Sequence, residues 1–193
     1  MRVSRFASRC IGIFALLIPA SVATAGVTVH FEGKAKDAAA VTRAVAAARS
    51  EAQRRGWTVH DANVTSASVL RIVGEEEKPY KGPLTGIVIR AHPMCEPLYL
   101  QFGVDLFLQD YVKTQFAGPE VHIAIVDLLR SLKPYFRTLD VEDEGEYWTT
   151  RDRARLEAHM KTVNDMIDAL KVARPGTRGP VKIAGERFVD FME

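Results

Sequence analysis

The chain has 193 residues, of which 47% are hydrophobic, and its 26 Lys and Arg nearly balance its 24 Asp and Glu. A chain of this length can bury a core sufficient for one ordinary domain without disulfide cross-links. The formal net charge of only +2 excludes the strong positive balance typical of nucleic-acid-binding proteins, so we expect no nucleic-acid partner.

The first 25 residues have the three-part pattern of a cleaved secretory signal. Arg2, Arg5 and Arg9 precede an apolar stretch over residues 10–20, and small residues follow up to Ala25. We therefore predict a signal peptide over residues 1–25 and an exported protein, periplasmic if the source is a Gram-negative bacterium. The apolar stretch is about half of the ~20 residues that a transmembrane helix needs, so we expect no membrane span after cleavage.

Cleavage after Ala25 would leave a single domain over residues 26–193. The signal contains three arginines and no acid, so 23 basic and 24 acidic residues remain and the mature chain is nearly neutral. Its one cysteine is Cys95. An internal disulfide is therefore excluded, and the thiol is buried, pairs with another chain or is reactive.

The N-terminal half predicts several strands and one strong helix. Asp37 is the expected N-cap of an Ala-rich helix that ends at Gly56. The polar, Pro- and Gly-rich residues 75–83 predict a loop, and the prolines of residues 92–97 predict a turn. Alternating or β-branched residues predict strands over 27–31, 57–60, 68–73, 84–91 and 98–102, the last two as a hairpin.

The spacing of apolar residues in the C-terminal half predicts mainly helices. Pro119 starts one predicted helix, which Pro134 ends or kinks. Thr149 and Asp152 have the spacing of a capping box before a second helix, which stops at Arg174. Residues 105–115 are amphipathic but favour neither a helix nor a strand. Residues 139–141 are expected to form a brief strand or an extended link, and short strands are expected over 181–183 and 188–191. Together these elements predict an α+β domain, with an antiparallel or mixed β-sheet covered by about three helices.

His92, Cys95 and Glu96 form the densest cluster of chemically versatile side chains. Imidazole, thiolate and carboxylate could ligate zinc or copper, and Cys95 could be a nucleophile with a histidine as its base. A structural zinc site needs four ligands, so another residue would have to arrive from elsewhere in the chain. The alternative is a hairpin turn whose cysteine packs inward while the histidine and glutamate face water.

An acidic and aromatic segment follows near residue 140. We predict an interaction surface for a basic partner that consists of Glu142, Asp143, Glu144, Tyr147 and Trp148. The same aromatic side chains could instead pack the segment onto the core. A calcium loop is a poor match, because Arg151 stands where the bidentate glutamate should be.

Common nucleophile, phosphate-binding, zinc-protease and dinucleotide motifs are missing from the mature sequence. We therefore expect an exported soluble, non-catalytic binding protein of the cell envelope, inhibitor- or immunity-like, that needs no cofactor. Its partner would be another protein or an envelope component. The alternative function is a metal- or thiol-dependent enzyme centred on His92, Cys95 and Glu96.

Overall fold

The computed structural model describes residues 26–74 and 76–192, so the predicted signal peptide lies outside the described residues. The strands are β1 Thr28–Ala35, β2 Thr58–Asp61, β3 Val64–Val73, β4 Glu76–Arg90, β5 Leu98–Gly103, β6 Phe107–Lys113, β7 Phe136–Asp143, β8 Val181–Lys182 and β9 Phe188–Val189. The α-helices are α1 Ala38–Arg54, α2 Pro119–Leu132, α3 Tyr147–Thr150 and α4 Arg153–Ala173.

Strand β1 is the centre of a three-stranded antiparallel sheet, with β6 and β7 on either side. Its side chains alternate between the two faces of the sheet, as the two-residue period of a strand requires. Val29, Phe31 and Ala35 are buried in the hydrophobic core with residues of α1 and α2. His30 and Glu32 therefore project from the opposite face, away from these helices.

Helices α1 and α4 begin and end near the residues that the sequence predicts. The carboxylate of Asp37 accepts a hydrogen bond from the Ala40 N–H at 2.6 Å and so caps α1. The N-cap of α4 is Asp152, which accepts from the Arg155 N–H at 3.1 Å. Thr149 lies within the short helix α3 and does not cap α4, so the predicted capping box is wrong in this detail.

A long β-hairpin forms the other half of the sheet structure. Strands β2 and β3 follow one another along the same edge of β4, from the pair Thr58 and Arg90 to the pair Val73 and Glu76. Strand β5 pairs with the opposite edge of β4, but only along residues 84–89. Strand β3 and residues 76–83 of β4 thus project beyond β5, and we call this part the arm.

The prediction of a loop over residues 75–83 is wrong for residues 76–83, because these residues belong to strand β4. Pro79 lies opposite Leu70 in the register of the arm. The Ile72 N–H is hydrogen-bonded away from β4, and the two-residue period gives Leu70 the same direction. Pro79 therefore occupies a position that gives no N–H to the β3–β4 ladder, where a strand tolerates proline.

The observed architecture is a single-domain α+β fold with antiparallel sheets, which confirms the predicted fold class. Four α-helices are present among the described residues, including the one-turn α3. None of the helices in residues 26–74 and 76–192 has the length and apolar character needed to cross a membrane.

Candidate functional site

An acidic groove lies on the helix-free face of the β6–β1–β7 sheet, and its volume is about 740 Å³. The strand register places Gln109, Glu32 and Asp140 side by side in one row across the sheet. The adjacent row consists of Tyr111, His30 and Glu142. Paired residues project from the same face, so this face carries three carboxylates from two neighbouring strands.

Two exposed apolar side chains of the arm line the groove as well. Leu70 is 60% exposed and Ile72 is 57% exposed, and both belong to β3. The rings of His30 and Tyr111 lie 5.7 Å apart between their centroids, at the other side of the lining. The groove therefore combines negative charge with aromatic and aliphatic surface.

Gln109 holds the arm against β6 with its side-chain amide. The Ile72 N–H donates to Gln109 Oε1 at 2.7 Å, and Gln109 Nε2 donates to the Ile72 carbonyl at 2.7 Å. The amide thus satisfies both backbone groups of Ile72, as a neighbouring strand would. Gln109 Nε2 also donates to the carboxylate of Glu32, which connects the arm to the acidic row.

Arg71 fixes the same part of the arm from its other face. Its guanidinium donates to the Asp105 carboxylate at 2.7 Å and to the Phe107 carbonyl at 3.2 Å. It also lies 4.0 Å from the ring centroid of Tyr80, at cation–π distance. Because Arg71 is buried and fully engaged, its charge is directed away from the groove.

The groove carboxylates are not ion-paired within the part of the chain that the structure describes, although Lys34 lies on the same face of β1 as Glu32. Glu32, Asp140 and Glu142 form no ion pair with any residue of 26–74 and 76–192. Glu32 and Asp140 are moreover direct cross-strand neighbours. Like charges in that position repel each other and destabilise the sheet, so the arrangement has an energetic cost in the isolated protein.

The five residues of the predicted acidic and aromatic surface do not lie in one patch. Glu142 faces the groove, whereas Glu144 is exposed beside the sheet and accepts from the Thr28 N–H at 2.7 Å. The side chains of Asp143 and Tyr147 are buried. Trp148 is half-buried and packs against the core. The binding role of these five residues stays a prediction, and the groove contains only Glu142.

Trp148 lies under two cationic side chains. The Arg130 guanidinium is 4.6 Å and the Lys133 ammonium 5.3 Å from its ring centroid. Such contacts are favourable for both partners and cover the indole ring. The indole is therefore engaged within the chain.

A buried polar network connects β7 to α2. His122 Nδ1 lies 2.7 Å from the Thr114 hydroxyl, and His122 Nε2 lies 3.1 Å from Asp143 Oδ1 without hydrogen-bond alignment. Asp143 also accepts from the Gly145 and Trp148 N–H groups. The Thr–His–Asp order resembles a nucleophilic triad, but His122 and Thr114 are fully inaccessible to solvent, so the network positions the loop after β7.

His92, Cys95 and Glu96 are not brought together by the structure. His92 is exposed, and its Nδ1 accepts from the Met94 N–H at 3.1 Å. Cys95 is 4% exposed, and its burial together with the nearby Glu96 carboxylate raises the pKa of the thiol to about 12. Within residues 26–74 and 76–192, no three His, Cys, Asp or Glu side chains are placed to hold one metal ion.

Glu96 instead anchors the C-terminal segment through a buried ionic network. Its carboxylate accepts from the Phe188 N–H at 2.7 Å, the Lys113 N–H at 3.1 Å and the Arg187 guanidinium at 3.1 Å. Arg187 also donates to Asp110 at 2.7 Å. Burial raises the pKa of Asp110 despite this partner, so the desolvation cost outweighs the attraction at that carboxylate.

The sequence pattern did not reveal Glu32, Gln109 and the apolar side chains of the arm as members of a site. The alternation in β1 predicts that His30 and Glu32 share a face, but not which strands lie beside them. Only the register with β6 and β7 adds Gln109 and Asp140 to that face. Comparison of the chain with protein-family models, curated proteins and solved structures gives no match.

Proposed function

We propose that this protein is an exported, non-catalytic binding protein that takes up a basic segment of another protein in the acidic groove. The observation that carries the proposal is the set of Glu32, Asp140 and Glu142 on one open face, none of which forms an ion pair among the described residues. A cationic partner would relieve the repulsion between the paired carboxylates and would be steered to them at low salt.

The apolar part of the groove supports a macromolecular partner over a simple ion. Leu70 and Ile72 expose aliphatic surface beside the carboxylates. Contiguous apolar surface rimmed by polar groups is typical of protein interaction sites. A partner segment with both basic and apolar side chains would match the whole lining.

The chemistry of Cys95 favours this proposal over the thiol- or metal-dependent alternative. A thiol whose pKa is about 12 is protonated at neutral pH, and a protonated thiol is a weak nucleophile and a poor metal ligand. Glu96, the neighbouring candidate, uses its carboxylate oxygens for the C-terminal segment.

Affinity capture from an envelope extract of the source organism tests the proposal. The bait is the mature protein, and the test variant carries Glu32→Lys, Asp140→Lys and Glu142→Lys. The matched control carries Glu157→Lys, Asp165→Lys and Asp168→Lys, three exposed positions of α4 outside the groove lining. Both variants change the net charge equally, so the comparison isolates the position of the charges.

We expect the wild type and the α4 control to capture the same basic protein, and the groove variant to lose it. Elution by moderate salt would agree with a charge-dependent contact. Equal capture by the groove variant and the wild type would reject the groove as the binding surface. Circular dichroism of all three proteins establishes that each is folded.

A further inference from the structure

We propose that the partner segment binds as an added β-strand along the free edge of β3, with basic and apolar side chains in alternation. This inference rests on the proposed function, because the same groove receives the segment. It adds the conformation of the ligand, the backbone groups that bind it and the sequence pattern it carries.

The backbone hydrogen bonds of Ile72 show which edge of β3 faces away from β4. Its N–H and carbonyl face Gln109, a residue that lines the groove, and thus face away from β4. Backbone groups on one edge of a strand recur every second residue, so those of Leu70 and Ser68 point the same way. Among residues 26–74 and 76–192, the hydrogen bonds to this edge come from the side chain of Gln109, and they reach only the backbone of Ile72.

An unpaired strand edge is a template for another extended chain. The free edge groups are those of Ser68 and Leu70, which span roughly 7 Å in an extended strand and offer pairing over about three residues. The amide of Gln109 occupies the position of a paired residue at Ile72. An added strand would therefore end there and extend along Leu70 and Ser68.

Charge complementarity selects the side chains of the added strand. Leu70 and Ile72 line the same groove as the three carboxylates, so a strand paired with Leu70 would have one end at this groove. Successive side chains of a strand project in opposite directions. One set can therefore be basic and face the carboxylates, while the other set is apolar and lies against Leu70 and Ile72.

The probe for this inference is an eight-residue peptide of alternating lysine and valine with blocked ends, measured by fluorescence anisotropy. Two modified peptides carry N-methyl groups, one on every lysine and the other on every valine. Only one set of N–H groups can face β3, so we expect one modified peptide to bind at least about tenfold more weakly than the other. Equal affinities for the two modified peptides would overturn the strand-addition inference.

A protein variant provides an independent measurement. Ser68→Pro removes an edge N–H without removing a bond to β4, and Ser68→Ala is its matched control. We expect the proline variant alone to lose peptide affinity, by about fivefold or more. If both variants bind the peptide as the wild type does, the edge is not the binding element.

The outcomes separate the two proposals. If the triple lysine variant of the groove binds the unmodified peptide as well as the wild type does, the groove proposal fails and the inference fails with it. If that variant loses the peptide but the two N-methylated peptides bind alike, the groove is a charge-dependent site and only the strand addition is rejected. Edge-to-edge pairing of two copies of the protein would be seen as a dimer in sedimentation and would also contradict the inference.

Discussion

His122 Nε2 lies 3.1 Å from Asp143 Oδ1, and both side chains are almost completely shielded from solvent. Burial alone would raise the pKa of Asp143, but the His122 side chain and the N–H groups of Trp148 and Gly145 lower it overall. The folded protein thus stabilises the ionised carboxylate at the point where β7 leads into α3. Glu142, the residue before Asp143, faces the groove. The buried pair of His122 and Asp143 therefore helps to position one carboxylate of the groove.

Replacement of Asp143 by asparagine should destabilise the fold. We expect Asp143→Asn to lower the free energy of unfolding by about 2 to 3 kcal/mol, because it replaces a buried carboxylate that accepts from the Gly145 and Trp148 N–H groups. Urea denaturation measures the effect, with Glu142→Gln as the control at the neighbouring exposed position. A loss for Asp143→Asn no larger than that of the control would contradict the structural role.

The pH dependence of the same pair follows from the lowered pKa of Asp143. Its ordinary value is 3.8, and the folded value is lower. The stabilisation is therefore complete above about pH 4 and is lost as the pH falls through the folded pKa. The difference in unfolding free energy between the wild type and Asp143→Asn should therefore shrink as the pH falls below about 4. A difference that grows as the pH falls below about 4 would contradict this assignment.

The thiol of Cys95 should be unreactive in the folded protein. Its pKa of about 12 and its exposure of 4% leave little thiolate and little access at pH 8. With a protein of residues 26–193, we expect a chromogenic disulfide reagent to modify one thiol per chain in denaturant and essentially none in native buffer. Rapid modification of the native protein would instead support the thiol-dependent alternative.

Elements that depend on local sequence were predictable, and those that depend on distant pairing were not. The cap at Asp37 and the prolines of residues 92–97 act within a few residues, and α1 and the β4–β5 hairpin were placed near their observed bounds. Residues 76–83 have the composition of a loop, but they form a strand because β3 pairs with them and leaves the N–H position of Pro79 unused. Local propensity was overridden there by tertiary pairing.

The candidate site shows the same limit. Glu142 was predicted as a binding residue from its acidic neighbours, but in a strand such neighbours alternate between faces. Asp143 therefore enters the core, while Asp140 joins Glu142 on the outer face. Glu32 is 108 positions from Asp140 in the sequence, and only the antiparallel register of β1 and β7 makes them neighbours.

Anchoring of the C-terminal segment should depend on Glu96. Glu96→Ala removes the acceptor of the Phe188 N–H and one partner of Arg187, whose other carboxylate is Asp110. We expect a loss of about 3 kcal/mol in unfolding free energy and faster hydrogen exchange at the Phe188 amide. Arg178→Ala, a change of an exposed side chain in the same segment, is the control and should leave exchange at Phe188 unchanged. Unaltered exchange in Glu96→Ala would show that other contacts hold the segment.

The pairing of Glu32 with Asp140 predicts a conflict between stability and binding. Directly opposed carboxylates repel each other, so Asp140→Asn should raise the free energy of unfolding by about 0.5 kcal/mol while it weakens capture of a basic partner. High salt should remove most of the stability gain, since it screens the repulsion in the wild type. Asp165→Asn on α4 is the control, because Asp165 is paired with Lys161 at 2.5 Å and should gain nothing from neutralisation. If Asp140→Asn is less stable than the wild type, the two carboxylates are not in conflict and the energetic argument for a cationic partner is lost.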